Sequence, residues 1–421
     1  MEAAGHMAFP NPREGVPHSH LPDVDAVTVE RAQSNINQRA ATELAPVPSI
    51  YRDEHVNLLL DNNQAAAASL PPFRSLASSA YRSRKKHLPP LPRELADLQL
   101  VAPWSQTATG DQFVLFDQTL PDNRNRIICF CSEEDLHQLC ATNTLYMDGT
   151  FGMAPPLFMQ LYTIHGFVHG KQLPLVYALL TGKTVQIYTE LFRHLKNKAA
   201  ELQNALNPQK IMTDFESGLR RAVMAEFPQA EHKGCFFHFC QAVHRNIKAV
   251  GLQGLYNDVG QPEVRNYARK LMATAFLPPA EVVGAVNALQ MQAPVVARMD
   301  DFTDYFNRTW MAGNFPIDMW NVHREERRTN NDVEGWHNAF TRMVAKYHPN
   351  IWEFINALKK QHASVTAIRL QIEAGQVVGV RQPKYVRLND RLQLLTARYL
   401  NGEIPQMHFL QTISHTLAAT V

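Results

Sequence analysis

A dense run of strand-like segments between residues 144 and 180 is the sequence feature that most constrains the fold. Segments 145–148, 158–167 and 172–180 are rich in aromatic, β-branched or other apolar residues, a composition typical of strands. Glycines and prolines separate the three segments. The spacing therefore predicts three strands in close succession.

Helix-like and strand-like segments alternate directly after this run. A helix is predicted over 187–206, where apolar side chains repeat on one side. A strand over 210–214, a helix over 217–227, a strand over 231–236 and a helix over 238–247 follow. This order of three strands, helix, strand, helix, strand and helix predicts a mixed α/β fold.

The chain before this core carries weaker patterns. Residues 1–95 are predicted to be disordered or weakly structured, because the first fifty are rich in Pro, Ala, Asn, Gln and Ser and show no sustained period. A basic cluster at 82–87 fits phosphate contact, nuclear import or a solvated linker. Residues 96–142 are predicted to form a small α+β lead-in, with strands at 113–116 and 126–130.

Strand patterns cease beyond about residue 245. Residues 245–325 are predicted to be a helical insertion into an α/β core whose first part spans 143–244. Residues 326–373 complete that core, and residues 374–421 are predicted to form a helical C-terminal tail.

Composition and charge exclude several classes of protein. The 421 residues include 41 basic and 39 acidic side chains, so any polyanion-binding surface must be local rather than global. The five cysteines are odd in number and irregularly spaced, which argues against a disulfide framework and favours a reducing compartment. The N-terminus lacks a signal peptide, and no apolar run approaches the roughly 20 residues that span a bilayer. The cytosol or the nucleus is therefore predicted.

Three acidic residues stand at strand ends or helix starts of the predicted core: Asp148, Asp214 and Glu334. Each has a simpler explanation, namely a hairpin turn for Asp148, a helix N-cap for Asp214, and a capping box with Asn331 for Glu334. Taken together, however, three converging carboxylates would repel one another unless cations bind. Hard oxygen ligands favour Mg²⁺ or Mn²⁺, and two such ions promote phosphoryl transfer.

At these residues the chain resembles the Mutator-like element (MULE) transposases of the DDE group. Each matching motif is short, but the ordered set between about residues 110 and 365 is specific. The set comprises Asp148-Gly149-Thr150-Phe151, Pro155, residues 158–162, Leu173-Pro174, Tyr177-Ala178-Leu179-Leu180, Thr213-Asp214-Phe215-Glu216, Gly234-Cys235-Phe236-Phe237-His238-Phe239, Gln241, Arg328-Thr329-Asn330-Asn331, Glu334, Trp336-His337, His348-Pro349-Asn350 and Trp352.

The resemblance implies an RNase H-like fold, with a mixed five-stranded sheet flanked by helices and interrupted by an α-helical insertion. It implies that Asp148, Asp214 and Glu334 are the catalytic acids and hold two Mg²⁺ (or Mn²⁺) ions. Water activated by one ion would cut a phosphodiester at the transposon end, and the freed 3′ hydroxyl would attack target DNA. Both steps are in-line displacements, so one metal pair could serve both.

Further residues of these motifs are predicted to contact DNA: Cys235, His238, Arg328, Asn331 and His337. For Arg328 and Asn331, an alternative role is to steady Glu334. Two other interpretations of the Cys235-x-x-His238 pair stay open. One is a zinc site completed by Cys240 and His244, since zinc usually takes four ligands. The other is a packed cysteine beside a hydrogen-bonded histidine. A similar choice, between base stacking and core packing, applies to Trp310, Trp320 and Trp336.

The chain is accordingly predicted to be a nuclear, metal-dependent DNA transposase that acts on transposon ends and target DNA as a homo-oligomer. Full-length relatives often carry an upstream zinc finger, and residues 1–95 show no such pattern. An alternative is therefore a host-adapted or truncated, non-catalytic DNA-binding or regulatory derivative. A third hypothesis, an interaction scaffold whose acids only cap helices, predicts carboxylates far apart in space.

Overall fold

The boundary between the two folded units of this protein lies between Pro90 and Leu91 in the computed structural model. The structure describes residues 24–43, 45–86, 88–344, 346–376 and 383–417. Residues 1–23, at the start of the segment predicted to be disordered, lie outside the described residues, as does His87 of the basic cluster.

Four helices make up the described part of the first unit, which corrects the prediction of disorder or weak structure for residues 24–86. They are α1 (Val24–Thr42), α2 (Val47–Leu60), α3 (Gln64–Ser69) and α4 (Phe73–Lys86). In α1 the buried residues Val29, Ala32, Ile36 and Ala40 recur every three or four positions and form a helical face. Half of the residues on that face are alanine, and alanine was among the residues whose abundance indicated disorder. The prediction from composition therefore missed this core.

Among the described residues of the second unit, seven strands form one mixed sheet. They are β1 (Val114–Thr119), β2 (Arg126–Phe130), β3 (Thr144–Thr150), β4 (Gln160–Val168), β5 (Lys171–Leu180), β6 (Lys210–Thr213) and β7 (Glu231–Gly234). Their order across the sheet is β1-β2-β5-β4-β3-β6-β7. The β3–β6 and β6–β7 pairs are parallel, and the other pairs are antiparallel.

The predicted mixed α/β fold is confirmed, but the predicted count of five strands is wrong. The two additional strands, β1 and β2, come from the lead-in predicted over 96–142, and β2 pairs with β5 so that Cys129 lies opposite Ala178. All five residues of β2 are buried. A strand that is buried throughout needs hydrogen-bond partners on both edges, which explains why the lead-in joins the sheet.

Four helices flank the strands near the positions predicted from sequence: α5 (Glu133–Ala141), α6 (Val185–Glu201), α7 (Ser217–Glu226) and α8 (Phe236–Ala249). The apolar side of α6, which includes Tyr188, Leu191 and Leu195, packs into the same core as the strands. Side chains spaced three or four apart share one face of a helix, so this face is buried while the opposite face meets solvent.

Further helices follow in the described part of the second unit. They are α9 (Gln253–Asn257), α10 (Glu263–Ala273), α11 (Pro279–Gln290), α12 (Met299–Phe306), α13 (Ile317–Trp320), α14 (Asn331–Val344), α15 (Ile351–Glu373), α16 (Pro383–Leu400) and α17 (Gln406–Leu417). Val333 of α14 and Val365 of α15 pack against residues of the sheet. Helices α9–α13, α16 and α17 share a second core with α8. Within this core Phe239 stacks on Trp320 with ring centroids 5.2 Å apart. Phe409 and Leu410 of α17 are buried in the same cluster, so the segment predicted as a tail packs against the predicted insertion.

Among the described residues, no helix combines the length and apolar composition that crossing a bilayer requires.

Candidate active site

Asp148 lies on β3, and Asp214 directly follows β6, the parallel strand beside it. The β3–β6 register pairs Tyr146 with Met212, and the same register carried two residues further brings Asp148 level with Asp214. Side chains two apart on a strand point to the same face, so both acids share the face of Tyr146 and Met212. Asp214 follows the last residue of β6, whereas Asp148 lies within β3.

The two simpler explanations for these acids do not hold. Asp148 is paired with Thr163 of β4 and so lies in a strand rather than in a hairpin turn. The N-cap of α7 is Glu216, not Asp214. Gly149 also has a packing role, because a Cβ atom at this position would lie 2.3 Å from Oε1 of Gln160.

Helix α14 brings Glu334 to the same face of the sheet. Val333 is fully buried against Tyr146 and Met212. Just before the helix, the Asn330 side chain donates to the carbonyl of Met147 at 3.0 Å, next to Asp148. These contacts fix the start of α14 over β3 and β6, and Glu334 follows in its first turn.

Asp148, Glu334 and His238 form one group of candidate metal ligands. One ligand atom from each residue lies within 4.8 Å of the other two, and Nε2 of His238 is 3.3 Å from Oε1 of Glu334. Asp214 does not belong to this group, although it lies close enough for its charge to raise the pKa of Asp148. The structure therefore adds His238 to the predicted site, while Asp214 lies near Asp148 but outside this group of three ligands.

Burial shifts the pKa of all three acids upward. For Asp148, burial comes first, followed by the charge of Asp214, and the pKa rises to about 8. Burial also raises the pKa of Asp214, while the positive charges of Lys183 and Arg245 lower it by a smaller amount. The pKa of Glu334 is raised by burial as well. Clustered, poorly solvated carboxylates of this kind gain from a bound cation, which replaces protons as the source of positive charge.

The donor set fits a divalent cation. Oε1 of Glu334 and Nδ1 of His238 are buried and have no hydrogen-bond partner. Burial lowers the pKa of His238 to about 4, so at neutral pH the ring is uncharged and one of its two nitrogens has a free electron pair for a cation. Two carboxylates and an imidazole suit Mn²⁺ and are compatible with Mg²⁺.

His337 is buried beside Asp148 rather than exposed at the surface, which corrects its prediction as a DNA contact. The residue is buried, and its Nδ1 is 3.6 Å from Oδ2 of Asp148, just beyond hydrogen-bond length. The other ring nitrogen, Nε2, is 3.0 Å from the hydroxyl of Thr163, which is also 3.2 Å from Nε2 of His165. A buried polar chain thus runs from His165 through Thr163 and His337 to Asp148.

Both histidine rings of this network are neutral. Burial lowers the pKa of His337 to about 4 and that of His165 well below its usual range. A neutral imidazole has one donor and one acceptor nitrogen, so Nε2 of each ring can donate to the Thr163 oxygen or accept from it. The Thr163 hydroxyl also lies 3.4 Å from the backbone carbonyl of Asp148, to which it can donate.

Cys235 does not contact solvent, which corrects its prediction as a DNA contact. Its thiol is fully buried and accepts from the backbone N–H of Asn330 at 3.3 Å. Burial raises the pKa of Cys235 to about 12, so the thiol is protonated at neutral pH. Cys235 therefore joins the start of α8 to the segment that leads into α14.

The zinc interpretation finds no support among the described residues, because their one candidate metal group contains no cysteine. Cys240 is buried in the helical core, and His244 pairs with the hydroxyl of Tyr256 at 2.9 Å. Trp310, Trp320 and Trp336 are likewise buried, which favours core packing over base stacking.

Two of the predicted DNA contacts are compatible with the structure. Arg328 is half-buried and donates to the carbonyl of Glu325 at 3.2 Å, and Asn331 is exposed at the start of α14. Contact with DNA stays a prediction for both residues and for His238.

Sequence reasoning missed the supporting residues Thr163, His165 and Asn330. Thr163 and His165 are polar residues two apart in a mostly apolar strand, so they share a face. That pattern was a usable signal for a buried polar network. Their connection to Asp148 depends on the β3–β4 register, which the sequence does not show.

Comparison with known families agrees with this geometry. Residues 144–242 match the family model of the MULE transposase domain. The matched segment contains Asp148, Asp214, Cys235 and His238, whereas Glu334 lies beyond it. No curated protein matches the chain.

Proposed function

We propose that this chain, which carries a MULE transposase domain over residues 144–242, is a DDE-type transposase that cleaves and joins DNA strands at transposon ends. The observation that carries the proposal is the meeting of Asp148, Glu334 and His238 from three distant parts of the chain, with ligand atoms within 4.8 Å. Asp214, level with Asp148 on the adjacent strand, supplies the remaining acid.

An RNase H-like core is part of the proposal. Five adjacent strands, β5-β4-β3-β6-β7, support it, since three antiparallel strands are followed by two parallel ones. The helices between α8 and α14 separate His238 from Glu334 along the chain and so occupy the position of the implied insertion. The strands β1 and β2 extend this core at one edge.

Mg²⁺ or Mn²⁺ is the proposed cofactor, with two ions in the full site. Asp148 would serve both ions, Glu334 and His238 would complete one set of ligands, and Asp214 would contribute to the other. When bound, such ions lower the pKa of a nucleophilic water or hydroxyl and stabilise negative charge on the attacking and leaving oxygens.

The side chains of the protein prepare this site in three ways. His337, held by the Thr163 hydroxyl, lies 3.6 Å from one oxygen of Asp148 and would help to orient the carboxylate for ligation. Lys183 and Arg245 place positive charge near Asp214, where a DNA phosphate would approach. Burial of Asp148 removes competing water and strengthens electrostatic interactions at the reacting centre.

DNA as partner, a homo-oligomeric assembly and a nuclear location belong to the same proposal. The direct test is nicking or strand transfer of duplex DNA by the purified protein with Mn²⁺ or Mg²⁺. Asp148→Asn should abolish the reaction while leaving DNA binding intact. Activity equal to that of the wild type in Asp148→Asn would refute the mechanism, and DNA binding without cleavage under either ion would favour a non-catalytic derivative.

A further inference from the structure

We propose that the exposed face of α4 in the first unit binds the phosphate backbone of duplex DNA. The inference rests on the proposed function, which makes DNA the substrate, and adds a binding surface on residues for which the sequence predicted no fold. The surface is defined by Arg74, Ser78, Tyr81, Arg82 and Lys85, and is called the basic face below.

Helical spacing places these five residues on one side of α4. They stand at positions i, i+4, i+7, i+8 and i+11, which span roughly 100° of a helix with 3.6 residues per turn. All five are exposed. The opposite side carries Phe73, Leu76 and Ala80, which pack into the core of the unit.

Arg84 holds α4 in place and leaves the basic face outward. Unlike the other basic residues of the helix, it points inward, where its guanidinium donates to the carbonyls of Ala40, Glu43 and Ala45 at 2.9, 3.1 and 2.7 Å. Carbonyls at the end of α1 are thereby satisfied by a residue of α4. The basic face is therefore presented by an anchored helix rather than by a solvated linker, one of the interpretations open at the sequence level.

Charge is segregated within the unit. Helix α4 carries five basic residues and no acid, whereas residues 24–72 carry six acids and three arginines. Three of those acids, Glu43, Asp53 and Glu54, are paired with Arg39. Among the residues of α4 there is consequently no acidic side chain to neutralise the basic face.

Helix stability alone does not account for this distribution. Basic residues in the last turn interact favourably with the helix dipole, which explains Lys85 and Lys86. Arg74 lies in the first turn, where the dipole disfavours a cation. A ligand that carries negative charge along the whole helix would explain the basic residues at both ends of α4.

The chemistry of the face fits a phosphate backbone. Arginine and lysine supply charge, and serine and tyrosine hydroxyls donate hydrogen bonds to phosphate oxygens without reading the sequence. The 14 residues of α4 span about 21 Å, which is long enough to meet several phosphates along one side of a duplex.

The test compares two double variants of the full chain. Arg82→Gln with Lys85→Gln removes two charges from the basic face, and Arg31→Gln with Arg52→Gln removes two exposed charges elsewhere in the same unit. Binding to a fluorescent duplex is measured by anisotropy between 50 and 200 mM salt. Equal melting temperatures establish that both variants are folded.

If both residues touch phosphates, the salt slope of the first variant should fall by about 1.8, since each contact contributes about 0.9. The wild type would then lose about tenfold more affinity than this variant across that salt range, and the control would follow the wild type. Equal slopes in all three proteins, or an equal fall in both variants, would overturn the inference.

DNA cleavage, whose loss in Asp148→Asn tests the proposed function, is measured separately from the salt slope of DNA binding. A changed slope in the α4 variant supports the basic face even if no protein cleaves DNA. Conversely, metal-dependent cleavage with an unchanged slope in the α4 variant would leave the catalytic proposal standing and refute the basic face. Loss of nuclear accumulation with an unchanged slope would assign the cluster to import and would also refute it.

Discussion

Nδ1 of His337 lies 3.6 Å from Oδ2 of Asp148, while the other nitrogen of the same ring is held by the hydroxyl of Thr163 at 3.0 Å. The two residues are 189 positions apart in sequence, yet both are buried at the centre of the site. This arrangement packs a neutral imidazole beside the carboxyl group, whose Oδ1 also accepts from the backbone N–H of Gly149 at 2.9 Å. The two contacts restrict the orientation of Asp148 in its poorly solvated position.

Removing the Thr163 hydroxyl should weaken metal binding without unfolding the protein. Thr163→Val has nearly the same shape and suits a strand, but it leaves Nε2 of His337 without its partner. Residues that orient metal ligands typically change affinity by 10-fold to 100-fold, so we expect Mn²⁺ to bind about 10-fold more weakly. Isothermal titration measures the effect. Thr163→Ser keeps the hydroxyl and should bind as the wild type does; a loss in both variants would assign the effect to packing.

His238 should be required for the metal response, and Cys235 should not. His238→Ala removes a nitrogen 3.3 Å from Glu334 and should reduce the rise in melting temperature that Mn²⁺ causes. Cys235→Ala leaves the backbone N–H of Asn330 unpaired and should cost about 1–3 kcal/mol of stability, with the Mn²⁺ response retained. The opposite pattern, with a response to Zn²⁺ that depends on Cys235, would restore the zinc interpretation.

The stability of the metal-free protein should fall as pH rises through the range in which Asp148 titrates. The pKa of Asp148 is about 8 in the folded protein and about 3.9 in an unfolded chain, so the folded state binds more protons between these values. Its contribution is therefore complete below about pH 4 and is lost as pH rises toward 8. Melting temperatures of the wild type and Asp148→Asn should diverge over this range.

Divalent cations should reverse that trend. An ion at Asp148 competes with the proton, so the melting shift caused by Mn²⁺ should grow from pH 6 to pH 8 in the wild type. Asp148→Asn should show little growth. A shift that is independent of pH in the wild type would contradict binding at this carboxylate.

Substitution of Gly234 should disturb Asp214 through the neighbouring Phe215. A Cβ atom at Gly234 would lie 2.2 Å from the Phe215 ring, which packs against Trp310 with centroids 4.9 Å apart. Overpacking of this kind typically costs about 1–3 kcal/mol, so Gly234→Ala should unfold at lower denaturant concentration and bind metal less tightly. Gly335→Ala is the matched control, because its Cβ meets nothing within 4 Å and alanine favours a helix by about 1 kcal/mol.

Strong periodic signals made much of the core predictable from sequence. Segments 145–148, 158–167, 172–180 and 210–214 were assigned as strands, and each overlaps an observed strand because its apolar residues are buried on the sheet. The first unit was missed because alanines such as Ala32 and Ala40 form much of its interface.

The site was predictable in part. Asp148 and Asp214 could be identified because they stand at the ends of predicted strands. That His238 joins the site depends on how α8 and α14 pack across β3 and β6. The inward orientation of His337 depends on the packing of α14, and its contact with Thr163 depends on the β3–β4 register, which places Thr163 beside Asp148. Such relationships arise from tertiary packing, and no local pattern encodes them.

The most direct test of the central claim, that Asp148, Glu334 and His238 bind a cation near Asp214, is the melting temperature with and without Mn²⁺. We expect Mn²⁺ to stabilise the wild type. The Asp148→Asn, Asp214→Asn, Glu334→Gln triple variant should melt higher than the wild type without metal, because repulsion among its carboxylates is gone, and should not respond to Mn²⁺. An equal Mn²⁺ response in both proteins would contradict the account.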